Sequence, residues 1–126
     1  MSEENKAMVR RMAEAINTQD MNLIDELFVP EIAGPTRRSF TAFRSAFPDW
    51  HMEVVELVAE GDTVVARFRC SGTNEGEFKG TPPTGRRMEV DEVYFLRVED
   101  GEFAYFWSLE DDLTRMRQLG LIAPPN

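Results

Sequence analysis

A chain of 126 residues with 42% hydrophobic and 10% aromatic side chains has the size and apolar content of one domain, so a single domain over residues 1–126 is expected and disorder is excluded. Its 14 basic and 23 acidic residues leave a net charge of -9, a field that repels phosphate backbones and argues against a nucleic-acid partner. The lone Cys70 excludes an internal disulfide or cysteine-rich zinc site. The lone His51 is the only base around which a Ser-His-Asp triad could form, and no apolar run is long enough to span a bilayer. A soluble, cytoplasmic protein without a membrane partner is expected.

Ser2 followed by Glu3 and Glu4 opens a helix, because a hydroxyl accepts from free amides and carboxylates favour the positive end of the helix dipole. Met8, Met12, Ala15 and Ile16 recur at helical spacing and carry it to about Thr18. Asp20 caps a second, short helix with Leu23, Ile24, Leu27 and Phe28 on its apolar face, stopping near Pro30. Gly34-Pro35 marks a loop. Phe40, Phe43 and Phe47 then share a face of a third helix, which Pro48 ends. Beyond Trp50 the apolar period becomes two, as in strands. His51 to Glu60 and Thr63 to Gly72 read as a hairpin around Gly61-Asp62, with Val64, Ala66, Phe68 and Cys70 on one face and Arg67 and Arg69 on the other. Gly72 to Gly85 is a loop or broken strand. Arg86 to Glu99 and Glu102 to Leu109 form a second hairpin around Asp100-Gly101, and a last helix runs from about Asp111 to a left-handed stop at Gly120, before a short tail from Ile122 to Asn126. Three helices followed by a meander of strands and a short helix predict an α+β fold: a curved, mixed but mostly antiparallel sheet with helices on one face.

Several side chains interrupt this pattern in ways that matter chemically. With regular alternation, Phe103, Tyr105, Trp107, Leu109 and Asp111 share one face, so the Asp111 carboxylate finishes an aromatic stripe. A partly desolvated carboxyl there exchanges protons closer to neutrality, although capping the final helix is the simpler role for an aspartate at that position. His51 is a candidate second acid/base or an edge residue. Asp91 and Glu92 point to opposite faces of one strand. Glu92 interrupts the apolar series Met88, Val90, Tyr94, Leu96, and so either lines a pocket or meets an arginine, with Arg67 and Arg69 the available partners. Tyr94, Tyr105 and Trp107 carry donors able to hold a carbonyl, or serve as core or interface aromatics, and Phe43 belongs to the apolar wall of such a pocket.

The ordered pieces Phe47-Pro48-Asp49-Trp50-His51, Gly61-Asp62-Thr63-Val64-Val65-Ala66-Arg67, Gly72-Thr73 leading to Gly80-Thr81-Pro82-Pro83-Thr84-Gly85-Arg86, then Asp100-Gly101, Trp107, Asp111 and Gln118-Leu119-Gly120 together resemble the SnoaL-like polyketide cyclase branch of the nuclear transport factor 2-like superfamily. The resemblance implies a cone-shaped fold and an intramolecular aldol ring closure without metal or cofactor, in which the acid/base aspartate corresponds to Asp111. It also implies a homodimer paired through the outer sheet face near Arg67 and Arg69. The chain departs from the family pattern by having no histidine in Glu92 to Arg97 or in a short Glu31 to Thr36 connection.

The expected function is therefore proton transfer next to a carbonyl on a small hydrophobic, polyketide-like molecule, with Asp111 and His51 as acid/base candidates and Trp107, Tyr105, Tyr94, Glu92 and Phe43 around the substrate. Two alternatives remain on the same fold: a non-catalytic protein that binds a hydrophobic ligand, and an epoxide hydrolase-like enzyme drawing on Asp111 with Asp91 or Glu92.

Overall fold

The computed structural model describes residues 2–123; Met1 and the last three residues of the expected tail lie outside them. Three helices come first: α1 (Ser2–Thr18), α2 (Met21–Leu27) and α3 (Pro30–Ala46). Strands β1 (His51–Glu60), β2 (Thr63–Thr73), β3 (Arg87–Glu99) and β4 (Glu102–Glu110) follow, and α4 (Asp112–Gln118) closes the chain. The sheet order is β1-β2-β3-β4 with antiparallel neighbours throughout, so the meander expected from the two hairpins is present. The parallel element of the expected mixed sheet is an isolated bridge between Phe28 and Phe103.

In the helical roof, the third helix begins earlier than the glycine and proline content suggests. The Gly34-Pro35 stretch, expected as a loop, lies inside α3. Pro30 occupies the first helical turn, where a missing N–H costs nothing. Pro35 gives up one backbone bond further in, and the packing of the Ala33, Thr36 and Phe40 face outweighs that local cost. Two polar ties fix the roof to the sheet. The Asn17 amide exchanges hydrogen bonds of 2.8 and 2.9 Å with the Met52 backbone, and Val29 N–H donates to the Phe103 carbonyl at 3.0 Å.

Helix residues such as Val9, Met12 and Ile16, with Phe47 just past the end of α3, bury themselves with Met52, Val64, Phe68, Met88 and Leu96 of the sheet. Cys70 sits fully buried among them, and burial pushes its thiol well above the ordinary range, consistent with an inert core residue. Asp100 and Gly101, both in the left-handed region, form the tight β3–β4 turn, and Gly120, at φ 78°, stops α4 against the Arg86 guanidinium. Among the described residues, no helix is long and apolar enough to cross a membrane.

A bulge decides which face of β4 looks inward. Arg97 pairs with Tyr105 and Val98 with Phe103, so Ala104 is an extra residue without a partner on β3. Side chains alternate with a period of two, and one inserted residue inverts every position after it. Phe103 therefore points into the core, while Phe106, Ser108 and Glu110 take the inner face and Tyr105, Trp107 and Leu109 the exposed outer one. The continuous stripe from Phe103 to Asp111 expected from regular alternation is broken at Ala104.

Candidate functional site

Between α3 and the inner face of β3 and β4 lies a half-open cavity of about 290 Å³. Phe40, Phe43, Trp50, Tyr94 and Phe106 form its aromatic walls, Ile32 and Pro35 add apolar side chains, and Thr36, Ser39 and Ser108 bring hydroxyls to it. Two carboxyl groups also line it, Glu92 from β3 and Glu110 from the end of β4. A mostly apolar hollow with a few convergent polar groups is the usual form of a small-molecule site.

Glu92 is 1% exposed, an expensive position for a carboxylate unless it is paired. Its Oε2 accepts a 2.6 Å hydrogen bond from the Arg115 guanidinium, and its Oε1 accepts from the Tyr94 hydroxyl at 3.0 Å. Arg115, fully buried on α4, also donates to Asp112 at 3.1 Å, lies 3.8 Å from Glu110, and rests over the Phe43 ring at 5.1 Å. Lys79 binds the other oxygen of Asp112 at 2.8 Å, tying the loop between β2 and β3 to the start of α4. Burial and the charge of Glu110 push the Glu92 carboxyl up to about 7, against the opposing pull of Arg115 and the Tyr94 hydrogen bond. The Tyr94 hydroxyl is itself held well above its ordinary value by burial and by Glu92.

Burial thus shifts the Glu92 carboxyl toward its protonated form in spite of the guanidinium beside it. Among the described residues, no His, Cys, Asp and Glu side chains cluster so as to hold a metal ion, and the carboxylates converge on a guanidinium instead.

Of the residues singled out from the sequence, Glu92, Tyr94 and Phe43 come together in this cavity. Glu92 both lines the pocket and meets an arginine, but the partner is Arg115 rather than Arg67 or Arg69. Those two lie on the outer face with Asp91, whose carboxylate accepts from Arg67 at 2.6 and 3.0 Å and lies 3.4 Å from Arg69. Tyr105 and Trp107, expected at the substrate, are on the exposed outer face because of the Ala104 bulge. Asp111 is displaced by the same inversion. Its side chain is exposed and accepts from Thr114 N–H at 3.2 Å as the cap of α4, and it does not line the cavity. His51 is exposed at the start of β1, next to inward-facing Met52, and is likewise absent from the lining. An Asp111 pairing with Asp91 or Glu92 as a two-acid centre does not form in the cavity; the acids that meet there are Glu92 and Glu110.

Trp50, Ser108, Glu110 and Arg115 escape a reading by strand alternation. Glu110 and Ser108 become visible only once the bulge is known, and Arg115 only once α4 is seen folding back behind β3.

The SnoaL-like polyketide cyclase profile matches residues 6–119. The chain belongs to the SnoaL-like polyketide cyclase family. It is 30% identical to aklanonic acid methyl ester cyclase DnrD of Streptomyces peucetius, over 90% of this chain and 88% of that one. Among solved structures, it superposes on AclR of Streptomyces galilaeus, provisionally a hydroxylase, with a TM-score of 0.91 at 28% identity, covering 100% of this chain and 87% of AclR. TsrD of Streptomyces laurentii gives a TM-score of 0.90 at 29% identity, covering 97% of this chain and 98% of TsrD. This SnoaL-like chain therefore shares its α+β architecture with proteins of more than one designation, and its chemistry has to be read from the cavity.

Proposed function

We propose that the protein is a cofactor-independent cyclase or isomerase that moves a proton next to a carbonyl of a small, hydrophobic, polyketide-like molecule, with Glu92 as the acid/base. The observation that carries this reading is the buried Glu92 carboxyl, held in an aromatic cavity with its proton affinity raised to about 7. As a carboxylate, Glu92 takes a proton from the carbon beside a ketone, and the electron pair of the broken C–H bond forms an enolate. The enolate carbon bonds to a second carbonyl carbon of the same molecule, and the resulting alkoxide takes the proton back from Glu92. Nothing is gained or lost, so no co-reactant is required. Thr36, Ser39 and Ser108 supply hydroxyl donors for the charge that develops on oxygen, whereas the Tyr94 hydroxyl is committed to Glu92. Arg115 acts through Glu92: it fixes the carboxyl and prevents its burial from being prohibitive.

Aklanonic acid methyl ester, named for the relative's activity, is the first substrate to assay. Glu92→Gln is expected to lower kcat/KM by roughly 10²–10⁴, the usual worth of a positioned acid/base, with the far-ultraviolet circular dichroism unchanged. Wild-type rates in that variant would remove Glu92 from the mechanism. For a base, activity rises as Glu92 ionises, so kcat/KM climbs with pH through about 7.

The exposed outer-face residues Phe95, Tyr105, Trp107 and Leu109 support pairing of two copies through the sheet. Sedimentation at micromolar concentration is expected to show a dimer, and a monomer would refute that assembly.

A further inference from the structure

We propose that Phe40 is the specificity-determining back wall of the cavity, closing it off from a second chamber and thereby limiting the length of the ligand. This inference rests on the cavity being the substrate site. The second hollow, of about 200 Å³, is lined by Ile16, Gln19, Met21, Phe40, Thr41 and Arg44. Phe40 is the residue common to the linings of both.

Helical geometry explains why. At about 100° per residue, Thr36, Ser39 and Phe43 project to one side of Phe40 on α3, and Thr41 and Arg44 to the other. The first set faces the carboxyl-bearing cavity and the second faces the hollow beneath α1 and α2. Phe40 is the ridge between them, and its ring is nearly buried. The chamber behind is also chemically distinct. Its cation, Arg44, donates to the Ile16 carbonyl at 2.6 Å and the Pro48 carbonyl at 3.1 Å, so it is anchored in place. A planar ligand in the carboxyl-bearing cavity therefore stops at the Phe40 ring, and shortening that side chain opens a longer slot with a cationic end.

The test uses hydroxylated quinones of two, three and four fused rings as probes, with binding followed by quenching of Trp50. A Trp107→Phe background leaves Trp50 as the single indole. In this background, affinity is expected to fall off beyond a certain ring number. Phe40→Leu and Phe40→Ala are expected to move the fall-off outward by one ring, with a gain of about tenfold or more for the longer probe. Phe40→Trp moves it inward. An identical fall-off in all variants overturns the proposal. If no probe binds any variant, it is the reading of the cavity as the ligand site that fails, and the crystal structure of Phe40→Leu then decides the wall by itself. One connected chamber supports the proposal, and two separate chambers overturn it.

Discussion

Asp91 and Glu92 are adjacent carboxylates on one strand, each bound to an arginine at 2.6 Å, yet their proton affinities move in opposite directions. On the outer face, hydrogen bonding from Arg67 holds the Asp91 carboxyl below the usual carboxylate range while water still reaches it. On the inner face, burial dominates, and the second negative charge of Glu110 adds to it, so Arg115 offsets only part of the cost of ionising Glu92. An arginine neighbour does not by itself decide a carboxyl's pKa; access to solvent and the local count of acids decide it. The outer pair is an exposed ion pair, whereas the inner one is a buried pair whose carboxyl is pushed toward its protonated form.

Breaking the inner pair should have the largest effect. Arg115→Met leaves Glu92 buried without its cation and is expected to cost about 3–5 kcal/mol in chemical denaturation, whereas a loss below about 1 kcal/mol would show that Glu92 is simply protonated in the folded state. Asp111→Ala removes the α4 cap and should cost about 1 kcal/mol with turnover preserved; lost turnover would return Asp111 to the mechanism. Asp91→Asn on the outer face is expected to cost less than about 1 kcal/mol, the ordinary worth of an exposed ion pair. The two faces also respond oppositely to pH. Because the folded state holds the Glu92 proton more tightly than the unfolded chain does, the stability contributed by this group is complete below the ordinary glutamate range. It is lost as pH rises through about 7. The smaller Asp91 contribution has the reverse sign, present above the ordinary aspartate range and lost on acidification. Denaturation midpoints across pH 5 to 8 in wild type and Glu92→Gln separate the two, since the neutral variant should lose the decline toward pH 8.

Local chemistry made most of the fold legible in the residues: turn pairs at Gly61-Asp62 and Asp100-Gly101, alternation in β2 and β3, and the stop at Gly120 all leave short-range marks. Gly34-Pro35 misled because tertiary packing of the α3 face outweighed two residues with poor helix propensity. The site was half legible. Glu92 stood out as an acid in an apolar series, and the strand register alone would have set Arg69 opposite Asp91 and Phe68 opposite Glu92, leaving Arg67 and Arg69 to the outer face. Its true partner lies 23 residues away on a helix whose docking no local pattern encodes. Asp111 takes the capping role that its place ahead of the last helix allowed, and it leaves the inner face for a different reason. A single unpaired alanine has no strong sequence signature, yet it reverses the facing of every residue after it, exchanging Trp107 and Leu109 for Ser108 and Glu110 at the cavity.

The most direct test is a carbon-13 NMR titration of the glutamate side-chain carboxyls, with Glu92 assigned through Glu92→Gln and the Asp91 carboxyl followed as an internal reference. The result expected is a Glu92 midpoint near 7 alongside an Asp91 midpoint below the usual carboxylate range. A Glu92 midpoint at or below about 4.3, the value of an unperturbed glutamate, would contradict the poised inner carboxyl and the proton-transfer chemistry built on it.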